Sequence, residues 1–171
     1  MRLACTALLA SLGLWLPAGD AARAQEPVDA FQVQGWAGGA YLNPRTGMFS
    51  HCAVSSTYSG VALSFILGPT LDFRIEIGAD DWRLKPGGEY VATVMIDHRE
   101  PLQIIASARS DKSIMAEFGP DEDMVKELRD GQFLRVLAEH IGVSFSLSGS
   151  SQALQRLRTC VTEHRTTAAT R

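Results

Sequence analysis

The clearest pattern along the chain is alternation. Leu71, Phe73, Ile75 and Ile77 are interleaved with Asp72, Arg74 and Glu76, a period of two that marks a strand with one face buried and the other in water. Val143, Phe145 and Leu147 alternate with Ser144, Ser146 and Ser148 in the same way. Further short strand-like runs are Gly35–Tyr41, Met48–Tyr58, Val61–Leu67, Tyr90–Ile96, Leu102–Arg109, Ser113–Phe118 and Phe133–Ala138. Turn chemistry separates them, with Pro44 and Gly47, Ser59-Gly60, Gly68-Pro69 and Pro86-Gly87-Gly88 at the joints.

Two stretches change period. Gly119-Pro120-Asp121 opens a short helix with acids in its first turn, Met124, Val125 and Leu128 on its inner stripe, and Gly131 at its end. Glu122 and Lys126 are spaced to support each other. Near the C-terminus Gly149 breaks the last strand, and Ser150 or Ser151 can cap a second helix. There Ala153, Leu154, Leu157, Cys160 and Val161 recur at three- and four-residue steps, with Gln155, Arg156 and Arg158 on the other side. These phases put Phe145, Leu147, Leu154 and Leu157 together in the core. The fold class is therefore mainly β: an antiparallel β-sandwich or open barrel with one short helix and a C-terminal helix packed on it.

Residues 1–24 read as an export signal: a basic start at Met1-Arg2, an apolar run from Leu3 to Leu16 too short to span a bilayer, and a cleavage site at Ala22-Arg23-Ala24. A lead-in segment over 25–34, a single β-rich domain over 35–165 and a loose tail over 166–171 follow. The expected location is periplasmic or secreted, with no membrane span in the mature chain.

Composition narrows the partners. The formal charge of −3 on 171 residues, with no basic cluster, argues against nucleic acid and against an anionic membrane. Of three cysteines, Cys5 leaves with the signal, so Cys52 and Cys160 remain. In an exported chain that pair favours a disulfide over a metal or redox site, and the inward phase of Cys160 agrees.

Three pieces carry a family resemblance: Gly35-Trp-Ala-Gly-Gly-Ala-Tyr41, Thr46-Gly-Met-Phe-Ser-His-Cys-Ala53, and Phe145-Ser-Leu-Ser-Gly-Ser-Ser-Gln-Ala-Leu154 with Cys160-Val161 after it. Together they resemble small exported alphaproteobacterial domains of unassigned function. The closing strand and helix also resemble, distantly, the end of the invasion-associated locus B proteins. The resemblance implies an envelope location and a binding or structural role, and it brings no catalytic residues.

Candidate chemistry is sparse. Gly149-Ser-Ser-Gln-Ala153 lies where a nucleophile elbow would lie, but it lacks the second glycine and reads as a helix cap. His51, His98, His140 and His164 are isolated from one another without metal-ligand spacing. Asp80-Asp81 reads as a solvated turn, since a calcium cage needs more oxygen ligands at short spacing. No catalytic residue, metal or cofactor is assigned. Trp36, Tyr41, Tyr58 and Trp82 form the candidate recognition patch, with Trp36 and Trp82 also suited to be core anchors. The leading reading is a non-catalytic periplasmic binding or accessory domain engaging an envelope protein or peptide. The alternatives are a surface-associated structural or virulence protein of the locus B type and an unrecognised hydrolase using His51 or His98.

Overall fold

The computed structural model of the protein describes residues 26–138 and 141–168, with the backbone alone for 166–168. The signal segment 1–24, His140 and the end of the tail at 169–171 lie outside the described residues. In chain order the elements are β1 (Val28–Val33), β2 (Trp36–Leu42), β3 (Phe49–Tyr58), β4 (Val61–Leu67), β5 (Phe73–Ala79), β6 (Glu89–Ile96), β7 (Leu102–Ala108), β8 (Ser113–Gly119), α1 (Glu122–Asp130), β9 (Phe133–Ala138), β10 (Ile141–Ser146) and α2 (Ser150–Ala168). The ten strands make one antiparallel sheet in the order β1-β2-β3-β4-β5-β8-β7-β6-β9-β10. The sheet curls without closing, so the open-barrel form of the expected fold is the one adopted.

The alternation in β5 follows this geometry: Phe73, Ile75, Ile77 and Ala79 are buried, and the residues between them are half-buried. Inward residues of every strand from β2 to β10 join one core with both helices. Part of it is aromatic, with Trp36 stacked on Phe65 at 4.9 Å and Phe65 against Phe73 at 5.9 Å. Phe145, Leu147, Leu154 and Leu157 are all buried there, as their phases require. Cys52 of β3 and Cys160 of α2 form a disulfide across that core, Cα to Cα 6.2 Å.

Several local expectations differ from what the chain does. Part of the 25–34 stretch, read as a lead-in, is strand β1, paired with β2 through a bulge between Val28 and Phe31. The bulge and the left-handed Asp29 (φ 51°) break the period of two that would have revealed it. The last helix continues to Ala168, into the stretch read as a tail. Asp121 caps α1 by accepting from the Met124 N–H at 2.9 Å, but Glu122 forms its ion pair with Arg158 of α2. Ser150 does not cap α2 with its side chain. Its buried hydroxyl donates to the Leu128 carbonyl at 2.7 Å and ties the start of α2 to the end of α1. Arg156 is half-buried, with its guanidinium 4.6 Å above the Phe31 ring, so α2 clasps the edge strand β1. His164 adds a contact 3.1 Å from the Asp29 carboxylate.

Candidate recognition surface

The four aromatic residues read as a recognition patch occupy three different places. Trp36 is 1% exposed, and its indole N–H donates to the Ser148 carbonyl at 3.0 Å. Tyr58 is half-buried edge-on against Phe145, and its hydroxyl donates to the Ser146 carbonyl at 2.6 Å. Both residues therefore seal the seam where the end of β10 meets the ends of β2 and β3. Trp82 is half-buried against the core in the turn after β5. Tyr41 alone of the four lies on the outer sheet face.

Around Tyr41 the register assembles a mixed polar and apolar surface. Tyr41 and His51 are cross-strand partners on β2 and β3, and their rings stack at 5.0 Å with 7° between planes. Next to them on the same face Ala53 pairs with Ile66 and Ile66 with Arg74. Ala53, Ile66 and Met115 form a small second apolar cluster under Tyr41. Asp72 accepts from the Thr70 hydroxyl at 2.7 Å and pairs with Arg74 at 3.1 Å. Gly68 makes room for that carboxylate: a Cβ there would lie 2.1 Å from Asp72 Oδ1. The Arg74 Nε is buried without a hydrogen-bond partner among the described residues.

These neighbours set the chemistry of His51. Burial pushes its pKa down to about 4, the Arg74 guanidinium adds to the effect, and Asp72 opposes it. The imidazole is neutral near pH 7, with Nδ1 3.1 Å from the Ser50 hydroxyl. A base this weak is poorly matched to proton abstraction at neutral pH. Burial raises the Tyr41 pKa as well, which keeps the phenol protonated. The pair can stack and hydrogen-bond. His98 is exposed in the turn after β6, away from this surface.

Beside Tyr41 runs an open groove of about 520 Å³, bounded by Pro27, Ala30 and Phe31 on the β1 side and by Gly38, Tyr41 and Ser55 on the other. Gly38 lets β2 lie close against β3, since a Cβ there would come 2.1 Å from the Ala53 carbonyl oxygen. Between the sheet halves, by contrast, the void lined by Ile75, Ile77, Ala92 and Ala106 is about 20 Å³ and apolar, far smaller than a ligand cavity. No group of three or more metal-ligating side chains occurs among the described residues.

A second outward surface escaped the sequence pattern. Val91 and Ile105 are cross-strand partners on β6 and β7, each 64% exposed, and Leu137 of β9, paired with Thr93 of β6, is exposed beside them. The β6 run from Tyr90 to Ile96 is almost continuously apolar, so its two faces cannot be told apart by period. Only register shows which residues point out.

No family profile matches the sequence, and no curated protein does. Among solved structures the chain is similar to invasion associated protein B from Bartonella henselae, with a TM-score of 0.58 and 16% sequence identity. The match covers 78% of this chain and 97% of that one. At that identity the likeness establishes a shared fold, and it extends the resemblance of the closing strand and helix to most of the domain.

Proposed function

We propose that the chain is an exported binding or accessory domain of the cell envelope that engages a protein or an extended peptide and performs no chemistry of its own. The observation that carries this reading is the groove of about 520 Å³ between Phe31 and Tyr41. Its walls carry the aromatic rings of Phe31 and Tyr41 beside the polar side chains of Gln32 and Ser55, a composition suited to recognition. The intramolecular disulfide supports an oxidising compartment, periplasmic or outside the cell. Among the described residues no helix is long and apolar enough to cross a membrane. A second reading, a surface-associated protein of the invasion-associated type, is supported by the fold likeness.

The test is site-directed photo-crosslinking in envelope preparations of the producing cell. A photoreactive group at Gln32, on the groove wall, should give a discrete adduct that Tyr41→Ala abolishes while the protein stays folded. The same group at Glu100, exposed in the turn after β6, should give none. A hydrolytic activity of the wild type that disappears in a stable His51→Ala or His98→Ala protein would replace this reading with an enzymatic one.

A further inference from the structure

Among the described residues, strand β10 is a sheet edge with β9 as its only strand neighbour. In an antiparallel ladder successive residues direct their backbone groups to alternate sides. The Leu147 N–H donates to the Gln132 carbonyl at 2.8 Å, in register with the β9–β10 pairs. Counting back by twos, Phe145, Val143 and Ile141 bond toward β9, and Ser146, Ser144 and Gly142 face away. The other side of β9 agrees, since the Phe133 carbonyl accepts from the Asp97 N–H on the β6 side.

The lower part of this edge is covered. The outward carbonyls of Ser146 and Ser148 accept from the Tyr58 hydroxyl and the Trp36 indole. Gly142 and Ser144 keep both outward backbone groups without a partner among the described residues, and both residues are exposed. Nothing on the strand protects them. β10 carries no charge and no proline, and its register with β9 has no bulge. The opposite edge, β1, has a bulge, Asp29 and the clasp of α2.

We propose that β10 is a self-pairing edge, through which two copies of the chain join antiparallel about a twofold axis at Val143. The free groups are self-complementary in that register. Gly142 of each copy meets Ser144 of the other, and the N–H and C=O groups of both residues are all used, in four hydrogen bonds. Faces match as well: Val143 lies opposite Val143, and Ile141 opposite Phe145, all on the inner side of the sheet. A register centred on Ser144 fails because it needs the Ser146 carbonyl, which Tyr58 occupies. The paired segment runs from Ile141, where β10 begins, to Phe145, one position short of that Tyr58 contact. The small outward side chains of Gly142 and Ser144 allow close approach.

The experiment uses the oxidised mature protein in sedimentation equilibrium, with two variants. Wild type should form a concentration-dependent dimer. Ser144→Pro removes an N–H that faces away from β9, so it should give a monomer with native near-ultraviolet dichroism and a melting temperature that no longer depends on concentration. Val143→Cys places two sulfurs across the axis at a non-hydrogen-bonded pair, Cα to Cα about 4.5 Å. It should form a covalent dimer on mild oxidation, whereas Thr57→Cys should not. A wild type that is monomeric at every concentration overturns the proposal. A dimer that survives in folded Ser144→Pro, or cross-linking of Val143→Cys no greater than that of Thr57→Cys, overturns it equally. If Ser144→Pro fails to fold, the cysteine pair decides alone.

Discussion

The Tyr58 hydroxyl donates to the Ser146 carbonyl across 2.6 Å, joining residues 88 positions apart at the seam of the curled sheet. The acceptor belongs to an edge strand and faces away from β9, so without Tyr58 it would turn to water or remain unpaired. The seam is thus held by side chains instead of a further strand ladder.

Tyr58→Phe keeps the edge-on contact with Phe145 and removes only the donor. A loss of about 1 kcal/mol is expected from denaturant unfolding, as for one net hydrogen bond. Amide exchange at Ser146 and Leu147 should accelerate more than exchange in β4. A uniform increase across the sheet would show that the seam does not open locally.

Leu157 is 1% exposed beneath α2. Leu157→Ala should cost about 2–5 kcal/mol through lost transfer energy and a residual cavity. Arg156→Ala removes the guanidinium above Phe31 and should cost about 0.5–1 kcal/mol. Thermal unfolding of both variants separates the two effects, and equal losses would contradict the burial assignment.

The Cys52–Cys160 bond closes a loop with a sequence separation of 108. In the chain-entropy model its removal destabilises by about 4–5 kcal/mol. Unfolding of a Cys52→Ala, Cys160→Ala double variant measures this, and thiol titration of the native protein should find no reactive thiol from either residue until it is reduced.

His51 makes stability depend on pH. Its folded pKa is about 4 against an ordinary value of 6.5, so between those limits the unfolded chain binds more protons than the folded one. The contribution of His51 to stability is therefore complete above about pH 6.5 and is lost as pH falls through about 4. His51→Gln should flatten the stability curve in that window while leaving the carboxylate titrations below it. An unchanged slope would mean that His51 is not buried as described.

How far the sequence could be read depended on which interactions are local. One-sided burial leaves its mark on neighbouring residues, so the period of two in Leu71–Ile77 and Val143–Leu147 revealed strands with their correct inner faces. The helical phase of Leu154, Leu157 and Cys160 likewise aimed α2 at the core and one cysteine at the other. Tertiary structure alone decided the rest. β8 lies between β5 and β7, a pairing that no local pattern encodes. The bulge and left-handed backbone of β1 scrambled its period, and the unbroken apolar run of β6 concealed the outward direction of Val91. Ser150 and Arg156 found partners on other elements, Leu128 of α1 and Phe31 of β1, in place of the helix-local roles their positions suggested. Trp36 was legible as a core anchor and Tyr58 only as a recognition aromatic, because their place at the seam depends on contacts 112 and 88 residues away. Tyr41 was left on the outer face because strand register, a non-local property, set it beside His51.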